Sequence, residues 1–400
     1  MLRYLHQARA ALPQFAQKAA LHASYAWHRR GRGDAQVSWV VGPQEVATMV
    51  RQLADQIPDS HTVNLVRHPF YSFAYDTEVD MGIGGIRGRL RRLYAGPWIM
   101  GRLARRARGF VYVSRTGFLS RLDDSRAYEF GFLKRKGVHV VCVFTGTDIR
   151  SPKLMKELEA TLGRPNVSTY QGFADRATVS AEFDETTRRA AQAADRHADL
   201  IFSMRNDQRS YLTRPTLPFL YFYPDDGVQD TSAKFSSPVR LRVLHAPSSP
   251  IIKGTQVVRA AVQALRDEGR EFDYEELIDV PHERVVAALR DAHIVLNQFY
   301  AFVPGVFGVE ALAAGCAVLQ SADPSAEPDL PEWDEPAWFV TQAHEVTAHL
   351  RTLLDDPALA ERYARLGQQW VRDHALASDS GRILREQLSR VLADDPHGTR

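Results

Sequence analysis

Two charged side chains stand where a phosphorylated ligand would need them. Lys253 precedes Gly254-Thr255 and follows an apolar run, residues 239–244, that closes with His245-Ala-Pro-Ser-Ser-Pro. A lysine so placed brings an ammonium to the carboxyl end of a strand, where a diphosphate needs a point charge. Glu310 lies in Gly305-Val-Phe-Gly-Val-Glu-Ala-Leu-Ala-Ala-Gly315. Glycines 305 and 308 read as ending a loop and opening a helix over 309–314, whose free N–H groups and dipole suit a phosphate oxygen. Glu310, in the first turn of that helix, can accept from two neighbouring hydroxyls such as those of a ribose. An ordinary loop–helix–strand with a capping glutamate carries the same pattern, and a solvated loop is the commoner fate of a single lysine.

A second concentration of charge lies in residues 87–108, with arginines at 87, 89, 91, 92, 102, 105, 106 and 108. Leu90, Leu93, Tyr94, Trp98, Ile99, Met100 and Leu103 are interleaved with them. A basic amphipathic helix of this kind rests on an anionic membrane or meets a polyanionic acceptor, with Arg91, Arg92, Arg102, Arg105 and Arg106 as contacts. The competing reading is a solvated basic face packed on its own domain. Metal chemistry finds no support. His344 and His349 are five apart and splay on a helix, Asp123-Asp124 and Asp225-Asp226 read as turns, and no Cys-x-x-Cys occurs. Cys142 and Cys316, each in an apolar run, read as free buried thiols of a reducing cytoplasm.

The elements that must position these groups alternate. Residues 1–36 read as a helix, 37–41 as a strand, 44–57 as a helix with Val46, Met49, Val50 and Leu53 on one face, and 63–66 as a strand. Strands at 109–113 and 138–144, a helix at 186–197 and a strand at 198–202 complete a doubly wound pattern. Prolines 215, 218, 224 and 238 mark a composition shift. Beyond it the pattern restarts: strand 239–244, helix 255–269, strand 274–278, helix 282–291, strand 294–296, helix 309–314 and strand 317–319. The expected organisation is a first domain over 1–225, a linker over 226–238, a second domain over 239–385, and a terminal helix and tail over 386–400. That helix, residues 381–392, is expected to pack back on the first domain. Two such domains enclose a cleft where ligands sit.

A chain of 400 residues, 44% hydrophobic and 24% charged, can bury a core in each half. A net charge of +2 gives no global polyanion signature, so nucleic acid is not an expected partner. No apolar run approaches a membrane span or a signal peptide, which points to a cytoplasmic protein, with peripheral contact at the inner membrane face if the arginines serve it.

In order and spacing, these segments resemble the C-terminal domain of retaining glycosyltransferases of the GT-B fold, the family 4-like group also called glycosyl transferases group 1. The resemblance runs over residues 241–319, through His-x-Pro…Lys-Gly-Thr, Glu276-Leu-Ile-Asp-Val-Pro-His-Glu283, Asp291-Ala-His-Ile-Val-Leu-Asn-Gln298 and Gly-x-x-Gly-x-Glu. Residues 361–371 are similar to the family's closing helix. More weakly, Phe144-Thr-Gly-Thr-Asp-Ile-Arg150 resembles its His-Gly-x-Asp-Ile-Arg, and residues 198–203 the strand before its interdomain crossing.

The resemblance implies an α/β fold of two doubly wound, Rossmann-like domains facing across a cleft. It implies retaining transfer of a sugar from a nucleoside-diphosphate sugar to an acceptor hydroxyl on a glycan, glycolipid or small molecule, as in cell-surface polysaccharide assembly. No cofactor beyond the donor and no metal are implied. Donor contacts fall to Ser248, Lys253, Gly254, Ile278, Gly305, Val306, Phe307, Gly308 and Glu310, and acceptor-side contacts to Thr145, Gly146, Thr147 and Asp148. Lys253, Glu310 and Asp148 would carry the chemistry. Two positions depart from the family: Phe302 stands where a first glutamate precedes Glu310 by eight, and Thr145 stands at a histidine. They keep open a sugar-nucleotide epimerase or phosphorylase, and a non-catalytic binding partner of a transferase.

Overall fold

A computed structural model describes residues 2–28, 37–66, 73–79, 84–168, 181–229, 234–236 and 240–393, with side chains of the first helix from Leu12 onward. Among these, six strands form one all-parallel sheet: β1 (Val37–Gly42), β2 (His61–Asn64), β3 (Thr77–Glu78), β4 (Ala107–Val113), β5 (His139–Val143) and β6 (Leu200–Phe202). Their order is 3-2-1-4-5-6. The β-branched run of β5 is buried at every position, as a strand covered on both faces must be. The covering helices are α1 (Leu2–Trp27), α2 (Met49–Gln56), α3 (Gly85–Leu103), α4 (Ala127–Arg135), α5 (Pro152–Leu162) and α6 (Ala181–His197). One face packs Phe110, Tyr112, Phe118, Phe130 and Phe132 under α3, α4 and α6.

The second sheet, also parallel, holds β7 (Arg242–His245), β8 (Asp273–Glu276), β9 (Ile294–Leu296), β10 (Ala317–Gln320) and β11 (Phe339–Val340) in the order 8-7-9-10-11. Its helices are α7 (Pro250–Lys253), α8 (Thr255–Asp267), α9 (His282–Asp291), α10 (Gly305–Ala313), α11 (Val346–Asp355) and α12 (Pro357–His374). A last helix, α13 (Ala377–Ala393), crosses back: its Leu384 and Leu388 join Trp39, Met49, Val50 and Leu53 in a core of the first domain. Strand order reverses beside β1 in one sheet and beside β7 in the other, and ligands settle at the carboxyl ends of strands at such points. Cys142 and Cys316 are buried and free, one in each sheet region.

The chain passes between domains twice, and the two passages run side by side. Tyr223 pairs with Leu376 in a parallel bridge, the Tyr223 N–H donating to Ala375 O at 2.8 Å and Ala377 N–H to Tyr223 O at 2.7 Å. Before this point Leu217 bridges Phe202, and Tyr221 and Phe222 are buried, so the proline-marked stretch is packed well before residue 226.

Several element boundaries differ from the sequence expectation. α2 begins at Met49 rather than at 44, because the buried Glu45 carboxylate accepts from the N–H groups of Val46, Val50 and Arg51 at 2.9, 3.0 and 3.3 Å. Ala47 and Thr48 reach that cap through positive φ. β2 pairs over His61–Asn64, earlier than 63–66. α6 starts at Ala181. α3 stops at Leu103, and β4 begins at Ala107, so Arg105, Arg106 and Arg108 are not on the basic helix. β7 begins at Arg242 and β8 ends at Glu276. The expected helical residues 29–36, the linker residues 230–233 and 237–238, and residue 239 of the expected strand lie outside the described residues. α4, α5, α7, α11, β3 and β11 were not foreseen as elements, and α3 was expected as the basic amphipathic helix of residues 87–108.

Candidate functional site

The site is built at the reversal beside β7. His245 ends β7 and is fully buried between β9 and α8, with Nδ1 2.6 Å from Leu296 O and Nε2 2.9 Å from Thr255 Oγ1. A carbonyl can only accept, so Nδ1 carries the proton and Nε2 accepts from the Thr255 hydroxyl. Burial pushes this imidazole down to about 4, leaving it neutral. It therefore fixes the start of α8 relative to the sheet. The next residues form the one-turn α7, and Gly254, at φ 78°, turns the chain into α8. Lys253 sits at that corner.

The Lys253 ammonium donates to Gln298 Oε1. Gln298 in turn donates from Nε2 to Val303 O at 2.6 Å and Pro304 O at 3.3 Å, directly ahead of α10. Lysine and helix start are thus held by one amide. Enclosure by protein lowers the ammonium to about 8, against an ordinary 10.5. That environment favours an anion beside it.

α10 begins earlier than expected, at Gly305, whose φ is 68°. The Gly305 N–H donates to the Tyr221 hydroxyl at 3.3 Å. Val306 and Phe307 follow in the first turn, where amides have no intrahelical acceptor. Gly308 is inside the helix, and its role is close approach: an added Cβ would lie 2.6 Å from Asn297 Nδ2 and 3.0 Å from Gln320 Oε1. Glu310 falls in the second turn rather than the first, a correction that follows from the earlier start. Its Oε1 is 2.8 Å from Nε2 of His282, the first residue of α9.

A cavity of about 210 Å³ joins these groups, lined by Ser248, Lys253, Val306, Phe307 and Glu310, with Leu277, Val280 and His282 opposite and Ala47 reaching in from the first domain. Gly254, Ile278, Gly305 and Gly308 do not line it; the three glycines shape the backbone around it. Across His282, Val306 and Glu310 lies a second cavity of about 280 Å³, walled by Tyr221, Phe222 and Tyr223 of the crossing and by Arg51 of α2.

The four residues expected on the acceptor side, Thr145 to Asp148, form a turn after β5. Asp148 Oδ2 accepts from the Thr145 N–H at 2.7 Å and its hydroxyl at 3.1 Å, and Oδ1 from the Ser114 hydroxyl at 3.1 Å. Burial raises this carboxyl above the ordinary range. Gly146 and Thr147 are exposed at the tip, and Gly146 O accepts from Gln208 Nε2 at 3.1 Å. These four residues line neither cavity.

At the other end of the cleft the domains touch. Buried Arg150 pairs with buried Asp207, whose Oδ1 accepts the Phe302 N–H at 2.8 Å. Glu327, pushed up to about 7 by burial, accepts from the N–H groups of Asn206 and Asp207 at 2.8 and 2.6 Å. Phe302 is 1% exposed, packed with Met155 and Val167 of the first domain and Ala326 of the second. Among the described residues, no group of three or more His, Cys, Asp or Glu side chains is arranged to hold a metal ion. Sequence reasoning missed His282, Gln298, Tyr221 and the Arg150–Asp207–Glu327 contacts. A histidine opening a helix at the carboxyl end of β8 was the one available signal, since nothing in the spacing joins it to Glu310.

The arginine stretch is divided by packing. Arg105 donates to Tyr25 O at 2.8 Å and stacks 3.9 Å over the Tyr25 ring, and Arg102 reaches Thr77 Oγ1 at 3.4 Å. Arg92 and Arg106 are half-buried, whereas Arg87, Arg89 and Arg91 are exposed. Along α3, Ile86, Leu90, Tyr94 and Trp98 recur every fourth residue and are 73%, 51%, 42% and 42% exposed. On the adjoining α1, Leu12, Phe15 and Trp27 are also exposed.

A family described as glycosyl transferase-like matches residues 257–385. No curated protein matches in sequence. Among solved structures, a sucrose-phosphate synthase from Thermosynechococcus elongatus superposes with TM-score 0.57 at 14% identity, over 90% of this chain and 100% of that one. The Anabaena protein HepE, in complex with UDP-glucose, gives TM-score 0.57 at 12% identity over 89% and 100%. A glycosyltransferase from Rickettsia africae gives 0.50 at 9% over 90% and 100%. At such identities these likenesses speak for the fold, and the family match speaks for the second domain. Two parallel-sheet α/β domains and these likenesses give the chain the GT-B fold, and the family match makes residues 257–385 of its second domain glycosyl transferase-like.

Proposed function

We propose that the protein transfers a sugar from a nucleoside-diphosphate sugar to an acceptor hydroxyl with retention, without a metal ion, in the assembly of a cell-surface glycan or glycolipid. The observation that carries this is the convergence of Lys253, Ser248, the first-turn residues Val306 and Phe307 of α10 and Glu310 on one cavity. The diphosphate lies against Lys253 and the Val306 and Phe307 amides, the ribose hydroxyls bond Glu310, and the base rests on Leu277 and Val280. As the bond from the anomeric carbon to the phosphate oxygen breaks, charge develops on the diphosphate, and the ammonium and amides offset it. The acceptor oxygen attacks from the same face, and its proton passes to the departing phosphate. Three local hydrogen bonds on Asp148 favour a role in ordering the acceptor-side turn over direct contact with reacting atoms. The test is a thermal-shift panel of UDP-, ADP- and GDP-sugars followed by assay of nucleotide release. A bound donor raises the unfolding midpoint by mass action. No shift with any donor sinks the donor-site reading.

Two further readings have observations of their own. The exposed stripe Ile86–Leu90–Tyr94–Trp98, flanked by Arg87, Arg89 and Arg91, favours peripheral attachment of the first domain to an anionic membrane. The burial of Phe302 at the position of the family's first glutamate favours a nucleotide-binding partner without turnover. Tight donor binding with no nucleotide release, in the presence of lipid-linked acceptors, would select that second reading.

A further inference from the structure

We infer that His282 is a positioning residue for the donor: it orients the Glu310 carboxylate toward the ligand, and its protonation sets how tightly the ligand is held. The inference rests on the reading of Glu310 as the ribose contact. The geometry supplies the rest. His282 Nε2 lies 2.8 Å from Glu310 Oε1, joining the start of α9 to the second turn of α10. Both side chains line both cavities, so the pair forms the partition between them. With Oε1 engaged by His282, the carboxylate is turned so that Oε2 is offered to a hydroxyl. A free glutamate would lose rotamer entropy on binding; this one has already lost it.

The charged surroundings favour the imidazolium. Glu310 faces it from α10, and Glu283 adds negative charge from its own helix. Asp279 lies in the loop ahead, on the donor cavity's wall. From the first domain, Arg51 of α2 shares the second cavity and opposes it, as does Lys253 across the donor cavity. Tyr223, on the crossing, is held neutral by burial and by Glu310, with its phenol near 12. The hydrogen bond to Glu310 outweighs the burial of the ring, and the His282 pKa rises above 6.5. The imidazolium therefore persists to higher pH than a free histidine. When it does lose its proton the bond to Glu310 keeps its anionic acceptor but loses the ion-pair attraction, and a positive charge leaves the side of an anionic ligand.

The experiment is calorimetric titration of the full chain with UDP-glucose, then ADP-glucose and GDP-mannose, from about pH 6 to about pH 7.5, below the titration of Lys253. These diphosphate diesters do not themselves titrate in that window. Wild-type affinity is expected to fall roughly three- to tenfold as pH rises. His282→Gln keeps a neutral donor for Glu310 but cannot titrate; it should bind at the wild-type high-pH level and show no step. On a Glu310→Gln background, His282→Gln should change affinity little further. A wild-type affinity flat across the window, or a step that survives in His282→Gln, overturns the role of His282 while leaving the donor site intact. Binding of none of the three donors removes the reading on which it rests, and this inference falls with it.

Discussion

Replacing Lys253 by methionine separates what this residue does for the ligand from what it does to the fold. Its ammonium is held near 8 instead of 10.5. Keeping the charge at pH 7 therefore costs on the order of 3 kcal/mol, an upper figure because water in the cavity screens it. Methionine removes that cost but leaves Gln298 Oε1 without its donor, a loss of about 1–3 kcal/mol. The two effects oppose, so Lys253→Met should lie within about 1–2 kcal/mol of wild type in stability at pH 7. Between about 8 and 10.5 the unfolded chain binds this proton and the folded one does not, so wild-type stability rises with pH there. At about pH 9.5 the wild type should have gained up to about 2 kcal/mol on the variant relative to pH 7. Urea unfolding at both pH values measures this, and groups common to the two proteins cancel. Nucleotide affinity should fall in the variant by about 1.5–3 kcal/mol, or roughly 10- to 150-fold. Wild-type donor affinity in Lys253→Met, or identical pH dependence of stability in both proteins, would refute the placement of this lysine as a desolvated charge facing a diphosphate.

Gly308→Ala should cost roughly 1–3 kcal/mol in denaturant unfolding and weaken donor binding, because its Cβ would lie 2.6 Å from Asn297 Nδ2 beneath α10; a fully stable variant would show that the β9 and β10 amides yield freely. Turnover is expected to withstand a chelator, and activity lost to chelation and restored by magnesium or manganese would contradict metal independence. Liposome co-sedimentation should show binding to anionic vesicles that falls with salt, weakened by charge reversal at Arg87, Arg89 and Arg91 and by Trp98→Ser. Equal pelleting with neutral lipid would assign the attachment to the apolar stripe alone, and no pelleting in any condition would remove the surface as a lipid contact.

How much of this was legible follows from the range of the forces involved. Strands β5 and β9, helix α9 and the second-domain alternation were readable because local periodicity and β-branched runs report burial directly. Helix starts were less so. The beginning of α2 depends on a Glu45 carboxylate folding back onto three amides, and that of α10 on Gly305 adopting a positive φ supported by Tyr221, 84 residues away. Ser248, Lys253, Val306, Phe307 and Glu310, which line one cavity, could be singled out because each lies near a strand end or a helix start in its own segment. Their partners Gln298 and His282 were not, since a pairing over 45 or 28 positions leaves no trace in spacing. For the same reason eight arginines in one stretch looked like one basic face, although Tyr25 of α1 captures Arg105.

Phe302 shows why a single departure from a family pattern has to be weighed with its surroundings. Its ring lies among Met155, Val167 and Ala326, with Leu158, Leu162, Ile252 and Tyr300 packed around them, and its N–H is bound by Asp207. A carboxylate at this position would enter an apolar seam and lie close to Asp207, a burial that costs several kcal/mol without a paired cation. The nearby Arg150 is already committed to Asp207. Side-chain type and domain seam therefore belong together: in this arrangement the apolar residue joins α5 to the second domain, and the polar side chains of Lys253, His282 and Glu310 line a cavity to which Phe302 does not contribute. Under the proposed donor site, a sugar attached to a diphosphate at Lys253 would have to meet this seam or displace it, and the closeness of the two domains there would then bear on which donor is accepted.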